Sequence, residues 1–193
     1  MRTTSPPADI SISHRRIDCT CSTGNWRMIR LARPGDAPIM ADIYNQAIAD
    51  RVHANCDIPQ TSDKFLSIYF SGSERYVALV HERDDGAIAG WGALKKFSAR
   101  PDDETIAEVA VYIRRNQRSA GLGIRLLRAL IRHAENASFR SLIAIILGEN
   151  VESIRGSQSC GFEERVRIPA IANMYGRYED IVWMQKALTG GRS

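Results

Sequence analysis

The chain has only four cysteines in 193 residues, and just two of them, Cys19 and Cys21, lie close together. That spacing builds no disulfide framework, and a lone C-x-C without a second ligand pair is too short for a zinc knuckle. The four histidines are scattered, with no H-x-x-x-H and no acidic partner at metal-ligand spacing. We therefore read no metal site, take the histidines as surface or structural groups, and expect a reducing, cytoplasmic compartment. No apolar run approaches the roughly 18 residues of a membrane helix; the longest, Leu142 to Leu147, is strand-sized. Aromatic residues make up only 7% and are not interleaved with basic ones. That pattern does not make a base-stacking surface, so neither nucleic acid nor membrane is an expected partner.

What is present suits one domain of ordinary size, with 44% hydrophobic and 25% charged residues. The net charge of +4 is spread along the chain rather than gathered into a patch, a mild excess that fits a protein handling a polyanionic cofactor. Residues 1–27 are rich in Ser, Thr, Pro and Arg, lack an apolar segment of the secretory kind, and read as a flexible extension or as sequence upstream of a natural start at Met28. The domain itself is expected over residues 28–190.

Within it, Met28–Arg33 alternates as a strand and ends at Pro34-Gly35, and Asp36 is placed to cap a helix. Ile39, Met40, Ile43, Tyr44, Ala47 and Ile48 recur at helical spacing. A second short helix follows Thr61. Arg75–His81 and Ala87–Phe97 read as strands joined by the turn Asp84-Asp85-Gly86. Ile106–Ile113 is the next strand. A helix then runs to about Asn136, its buried stripe made by Ile124, Leu127, Leu130, Ile131 and Ala134. Leu142–Leu147 reads as a fully buried strand, Asn150–Ser159 as a short helix stopped by Gly161, and Phe162–Ile168 and Tyr178–Leu188 as closing strands. The fold class is thus α/β (α+β), with about seven strands and about four helices.

The most informative segment is Arg118-Ser119-Ala120-Gly121-Leu122-Gly123, between a strand and an amphipathic helix. A helix N-terminus carries unpaired N–H groups and partial positive charge, and small residues let a phosphate approach that backbone. The same residues would also serve a plain strand-to-helix turn that needs glycine for its dihedrals. A Walker loop is excluded because Ile124-Arg125 follow where Lys-Ser/Thr belongs. A dinucleotide fingerprint is excluded by Leu126 at the third small position.

The pattern Arg/Gln-x-x-Gly-x-Gly/Ala at this point resembles the pyrophosphate-binding motif of the GNAT superfamily of acetyltransferases. Glu108-Val109-Ala110-Val111-Tyr112-Ile113 resembles the "E-x-S-V-Y-V" strand of its phosphinothricin and methionine-sulfoximine acetyltransferase subgroup. Ile145 to Asn150, Ser153-Ile154 and Gly161-Phe162 resemble the subgroup's "A-x-I-x-x-x-N-x-x-S-I…G-F", and Ile43-Tyr44-Asn45 and Tyr178-Glu179-Asp180 its terminal signatures. The resemblance covers essentially Met28 to Leu188. It implies the GNAT fold, a mixed, mostly antiparallel sheet flanked by helices. It also implies acetyl-CoA as co-substrate, no metal, a small amine as acceptor, and a homodimer, with which the apolar run Ile181-Val182-Trp183-Met184, read as buried on both faces, is consistent.

The resemblance further implies roles. Val111, Tyr112 and Ile113 would lie along the pantetheine, with one amide of this strand facing the thioester carbonyl. Arg118, Ser119, Ala120, Gly121, Leu122 and Gly123 would bind the diphosphate, and Asn150 and Ser153 would contact CoA. Glu108 would be the general base. Read by itself, a glutamate in an apolar strand is paired with a cation, exposed on an edge, or tuned by burial. Arg100 is the candidate to hold an acceptor carboxylate. The chain departs from the subgroup at Gly156-Ser157-Gln158 in place of Leu-His-Glu, at Arg100-Pro101-Asp102-Asp103 in place of Arg-Pro-x-Tyr, and at Val52-His53-Ala54-Asn55-Cys56-Asp57 in place of the "T-x-x-F-E" pocket segment. These changes leave open the acceptor and the donor of a proton to the thiolate. They also keep two alternatives in view: a sensor that binds acetyl-CoA with little turnover, and an acetyltransferase of protein N-termini or lysines.

Overall fold

The computed structural model describes residues 29–52, 57–71, 73–100, 104–118, 121–174 and 176–188. The extension expected over residues 1–27 lies outside these residues, as do Met28, Ser119 and Ala120. The elements are β1 (Ile29–Leu31), α1 (Ala37–Ala49), α2 (Ser62–Tyr69), β2 (Ala78–Glu82), β3 (Ile88–Lys96), β4 (Ile106–Ile113), α3 (Leu122–Asn136), β5 (Ser141–Leu147), α4 (Val151–Ser159), β6 (Glu163–Met174) and β7 (Arg177–Ala187). Their order is the one the sequence predicts. They form one seven-stranded sheet in the spatial order β1-β2-β3-β4-β5-β7-β6. All neighbours are antiparallel except β4 and β5, which run parallel. A parallel pair needs a crossover, and α3 supplies it.

Each face of the sheet buries its own cluster. Ala107 and Val109 of β4 join Leu126, Leu130 and Ala134 of α3 with Leu142, Ala144 and Ile146 of β5. On the other face, Trp91 and Ala93 of β3 pack with Met40 and Ile43 of α1 and Phe65 of α2, and Tyr112 lies against them. The Trp91 indole also donates to the Met40 carbonyl at 3.0 Å, which ties α1 to the sheet. Strand alternation sorts these side chains, and each fully buried Leu or Ile contributes about 1.5–3 kcal/mol.

Four local expectations are corrected. Asp36 does not cap α1 with its side chain. It accepts instead from the Arg33 amide at 2.8 Å and from Arg30 at 2.7 and 3.1 Å, linking β1 to the helix entry. Ile143 and Ile145 of β5 stay half-buried, because α3 and α4 cover only the face to which Leu142, Ala144 and Ile146 point. β6 runs on past Ile168 to Met174 through a bulge in which Asp180 accepts from the Ala170 amide at 3.0 Å. Pro169 lies within it at little cost, because β6 is the edge strand, where a missing donor is tolerated. Trp183 in β7 is not enclosed on both faces. It is 36% exposed, while Ile181, Val182 and Met184 are buried.

β4 is held against β3 so closely that side chains are excluded between them. A Cβ on Gly90 would lie 2.5 Å from Ile113 Cδ1 and 2.9 Å from the Tyr112 carbonyl oxygen. Gly90→Ala is therefore expected to destabilise the protein by about 1–3 kcal/mol, since the backbone cannot yield as a side-chain tip can. Urea denaturation measures this, and an unchanged midpoint would contradict the tight β3–β4 contact.

Candidate functional site

The site begins where the sheet comes apart. β4 and β5 pair only from Ile106–Glu108 to Ser141–Ile143. Beyond that, β4 continues to Ile113 and β5 to Leu147 without a ladder between them. The wedge holds a cavity of about 660 Å³, lined by Glu108–Ile113 of β4, Ala144–Ile146 of β5, the first turn of α3, and one face of α4. The β4 edge facing this wedge has no neighbouring strand, so its peptide groups are offered to whatever occupies the cavity.

One end of the cavity is acidic and aromatic. Glu108 stands directly across from Lys95 of β3, with Lys95 Nζ 2.7 Å from Glu108 Oε1. Of the three states open to this glutamate, pairing with a cation is the one observed. Tyr112 stacks on Trp91 at 4.6 Å and meets Tyr44 at 5.1 Å, and Tyr69 packs on Trp91 at 5.2 Å. Burial, followed by neighbouring Tyr44 and Glu108, pushes the Tyr69 phenol above its ordinary range, so it stays a neutral wall beside the carboxylate.

The other end is basic and built from backbone. Gly121 sits at the N-cap of α3 with φ +72°, a left-handed conformation that favours glycine, and a Cβ there would meet nothing within 4 Å. A Cβ on Gly123 would meet only Ile113 Cγ1, at 3.8 Å. The approach to the first amides of α3 is thus open on its solvent side. Arg118 is fixed beside them: its Nη1 lies 2.6 Å from Asp50 Oδ2 and its Nε donates to the Ile113 carbonyl at 3.3 Å. Its Nη2 is buried without a hydrogen-bond partner. Asp50, at the end of α1, also holds Arg115 at 2.6 Å, and Gln46 accepts from the Arg115 amide at 2.9 Å. Bonding to Arg115 is the largest influence on the Asp50 carboxyl and, with the bond to Arg118, holds it below the usual carboxylate range despite the opposing effect of burial.

Asn150, at the start of α4, is engaged twice. Its Oδ1 accepts from the Ser153 amide at 3.1 Å, and its Nδ2 donates to the Val52 carbonyl at 3.2 Å. Further along α4, Ser157 is buried against the cavity at the position where the resemblance set a histidine. A Cβ on the adjacent Gly156 would touch only Ile124 Cγ1, at 4.0 Å.

Glu108, Val111, Tyr112, Ile113, Arg118, Gly121, Leu122, Gly123, Asn150 and Ser153 all line this one cavity. Arg100 is not among the lining residues. It is exposed, its amide bonded to Ser98 Oγ at 3.1 Å, and residues 101–103 beyond it lie outside the described residues. Residues 53–56 of the departing pocket segment also lie outside them. Sequence reasoning missed Lys95 and the β5 wall. A lysine in an otherwise apolar strand was the available signal, but only the β3–β4 register sets it opposite Glu108. Among the described residues no group of three or more His, Cys, Asp or Glu side chains is placed to hold a metal ion, and no helix is long and apolar enough to cross a membrane.

A seven-stranded sheet that splits at one parallel pair, with a glycine-bordered helix N-terminus at the split, defines a class of CoA-dependent acyltransferase. The family model described as an acetyltransferase (GNAT) domain matches residues 19–163, and the chain belongs to the GNAT family. It is 32% identical over 83% of its length, and 99% of the relative's, to a Bacillus subtilis protein provisionally named as a phosphinothricin acetyltransferase. It is 28% identical to an L-methionine sulfoximine/L-methionine sulfone acetyltransferase of Pseudomonas aeruginosa, over 86% of this chain and 96% of the other. Among solved structures, a GNAT-superfamily phosphinothricin acetyltransferase of Sinorhizobium meliloti in complex with acetyl-CoA superposes with a TM-score of 0.79, at 26% identity, covering 85% of this chain and 89% of that one.

Asn150→Ala removes both bonds at the entry to α4. The loss of the cap alone is expected to cost about 1 kcal/mol. Thermal unfolding measures it, and Asn150→Asp, which keeps the accepting oxygen, should recover most of the loss.

Proposed function

We propose that this protein transfers the acetyl group of acetyl-CoA to the primary amine of a small, amino-acid-like molecule, the amine attacking the thioester directly. The observation that carries the reading is the cavity itself, a wedge between β4 and β5 with open helix amides at one end and a carboxylate at the other. The family relationship supports it, and the named relatives act on small amino-acid analogues.

The residues present fit acetyl-CoA. The amides of Gly121, Leu122 and Gly123, with those of Ser119 and Ala120, would take the diphosphate at the positive end of α3. Arg118 would add its buried, unsatisfied Nη2. The free edge at Val111, Tyr112 and Ile113 would hydrogen-bond the pantetheine amides as a strand would, leaving one β4 amide for the oxyanion that develops at the carbonyl. Asn150 and Ser153 would border the pantetheine from α4. Glu108 would take one proton from the substrate ammonium. The freed nitrogen then forms the C–N bond as the C–S bond breaks and its electron pair leaves on sulfur, and the second proton shed by the nitrogen goes to water, balancing the one the thiolate takes up. Ser157, a weak acid, stands where the related subgroup carries a histidine, so the thiolate is read as taking its proton from water.

We place the protein in the cytoplasm, acting on a small molecule rather than on nucleic acid or a membrane, and as a homodimer. Val166 and Ile171 of β6 and Tyr178 and Trp183 of β7 expose apolar surface on the outer hairpin, which suits burial against a second copy. Light scattering should give twice the chain mass, and a monomer mass independent of concentration removes the dimer.

Release of CoA thiol across a panel of amines tests the activity. Tight acetyl-CoA binding without turnover on any amine would make the protein a sensor instead. Glu108→Gln should lower kcat by about 10²–10⁴-fold with acetyl-CoA affinity kept. Gly121→Val should do the reverse, weakening acetyl-CoA binding by about tenfold or more by adding a branched side chain at a left-handed position beside the diphosphate. Equal effects of both changes on binding would dissolve the division into two ends.

A further inference from the structure

Lys95 and Glu108 form a cross-strand pair whose side chains are only 24% and 14% exposed, on the face of the sheet that carries Trp91, Ala93 and Tyr112. The aromatic wall of Tyr44, Tyr69 and Tyr112 closes the same region. In acetyl transfer as proposed, Glu108 gains a proton when the acceptor amine is freed. At that moment the charge facing Lys95 disappears, and an ammonium three-quarters shielded from water is left facing a neutral acid. Such an uncompensated, partly buried charge is unfavourable.

An acceptor that carries its own carboxylate beside its amine removes this penalty. The Lys95–Glu108 pair presents one positive and one negative group side by side, and an α-amino acid presents the same two charges in the opposite sense. Docked against the pair, its ammonium meets Glu108 and its carboxylate meets Lys95. After proton transfer Lys95 keeps an anionic partner, and its own protons take no part.

Resting on the acetyl-transfer reading, we propose that Lys95 binds the carboxylate of the acceptor, so that the site selects α-amino acids over amines without an acid group. The role expected of Arg100 falls to Lys95. Neither residue lines the cavity itself, but Arg100 is exposed, whereas Lys95 is half-buried and touches Glu108, the lining residue read as the base.

The test compares an L-amino acid that the wild-type enzyme acetylates with its α-carboxamide, reading kcat and KM for each with wild type, Lys95→Met and Lys95→Arg. Each substrate is judged against itself across the variants, so the different amine pKa values of acid and amide cancel. Lys95→Met should lower kcat/KM for the amino acid by about 10–100-fold, chiefly through KM, the size of a lost charge-assisted hydrogen bond. The carboxamide, which offers Lys95 no anion, should show no such rise in KM; any change for it falls on kcat, through Glu108 losing its cation partner. Acetyl-CoA affinity should be unchanged, which also reports that the variant is folded. Lys95→Arg should keep the preference for the acid. An equal loss on both substrates would make Lys95 only a structural partner of Glu108 and overturn the proposal, as would loss of the preference in Lys95→Arg. If wild type acetylates carboxamides or peptide amines but no free amino acid, Lys95 loses its role while acetyl transfer stands. Binding of acetyl-CoA with no turnover at all would overturn both.

Discussion

The structure depends on a pair of neighbouring strands that cannot stay paired. β4 is locked to β3 along its whole length, with Gly90 and Gly92 allowing backbone-to-backbone approach, while β5 is locked to β7 through seven registered residues. Only the three-residue parallel ladder from Ile106 to Glu108 joins the two halves. The rest of each strand follows its own partner, and the gap between them is the cavity. Unpaired peptide groups destabilise a sheet, so a gap of this kind persists only where something else satisfies them. In the proposed acetyl transfer, that partner would be the amide chain of the co-substrate.

Around the gap, fixed charge is distributed in opposite senses. The Asp50–Arg115–Arg118 cluster stiffens the turn before α3, and the α3 dipole adds positive potential at the same end. Asp50 offsets part of the charge of the two arginines. Its contribution is therefore geometric: it fixes where Arg118 sits while weakening the attraction for a polyanion. At the far end the acid is not isolated but paired with Lys95 across the strands. Placing a cation next to a residue read as a base makes sense if the substrate brings an anion of its own.

Much of this was legible in the residues. Helix α3, strand β4 and helix α4 lie where periodicity and end signals placed them, because burial on one side writes a clean pattern into a helix or strand, although the α3 stripe buries Leu126 and leaves the expected Ile124 half-buried. The misplaced details were those in which a side chain had another partner. Asp36 reads as a cap until Arg30 claims its carboxylate. β6 reads as ending at Ile168 until Asp180 holds the bulge at Ala170 and the strand runs on to Met174. Arg100 was placed at an acceptor carboxylate by its match to the family motif before β4, yet it is exposed and is not among the residues that line the cavity.

By itself the sequence determined the order of elements and the small-residue turn before α3, since these follow from local spacing and backbone preference, while the arrangement of the strands in one sheet came with the family resemblance. The tertiary structure decided what lies across from what. That Lys95 faces Glu108, that Asp50 reaches Arg118 from a different helix, and that β4 and β5 separate after Glu108 are consequences of strand register and of packing on both faces of the sheet. Such contacts join residues from 13 to 68 positions apart, a separation over which local periodicity carries no information.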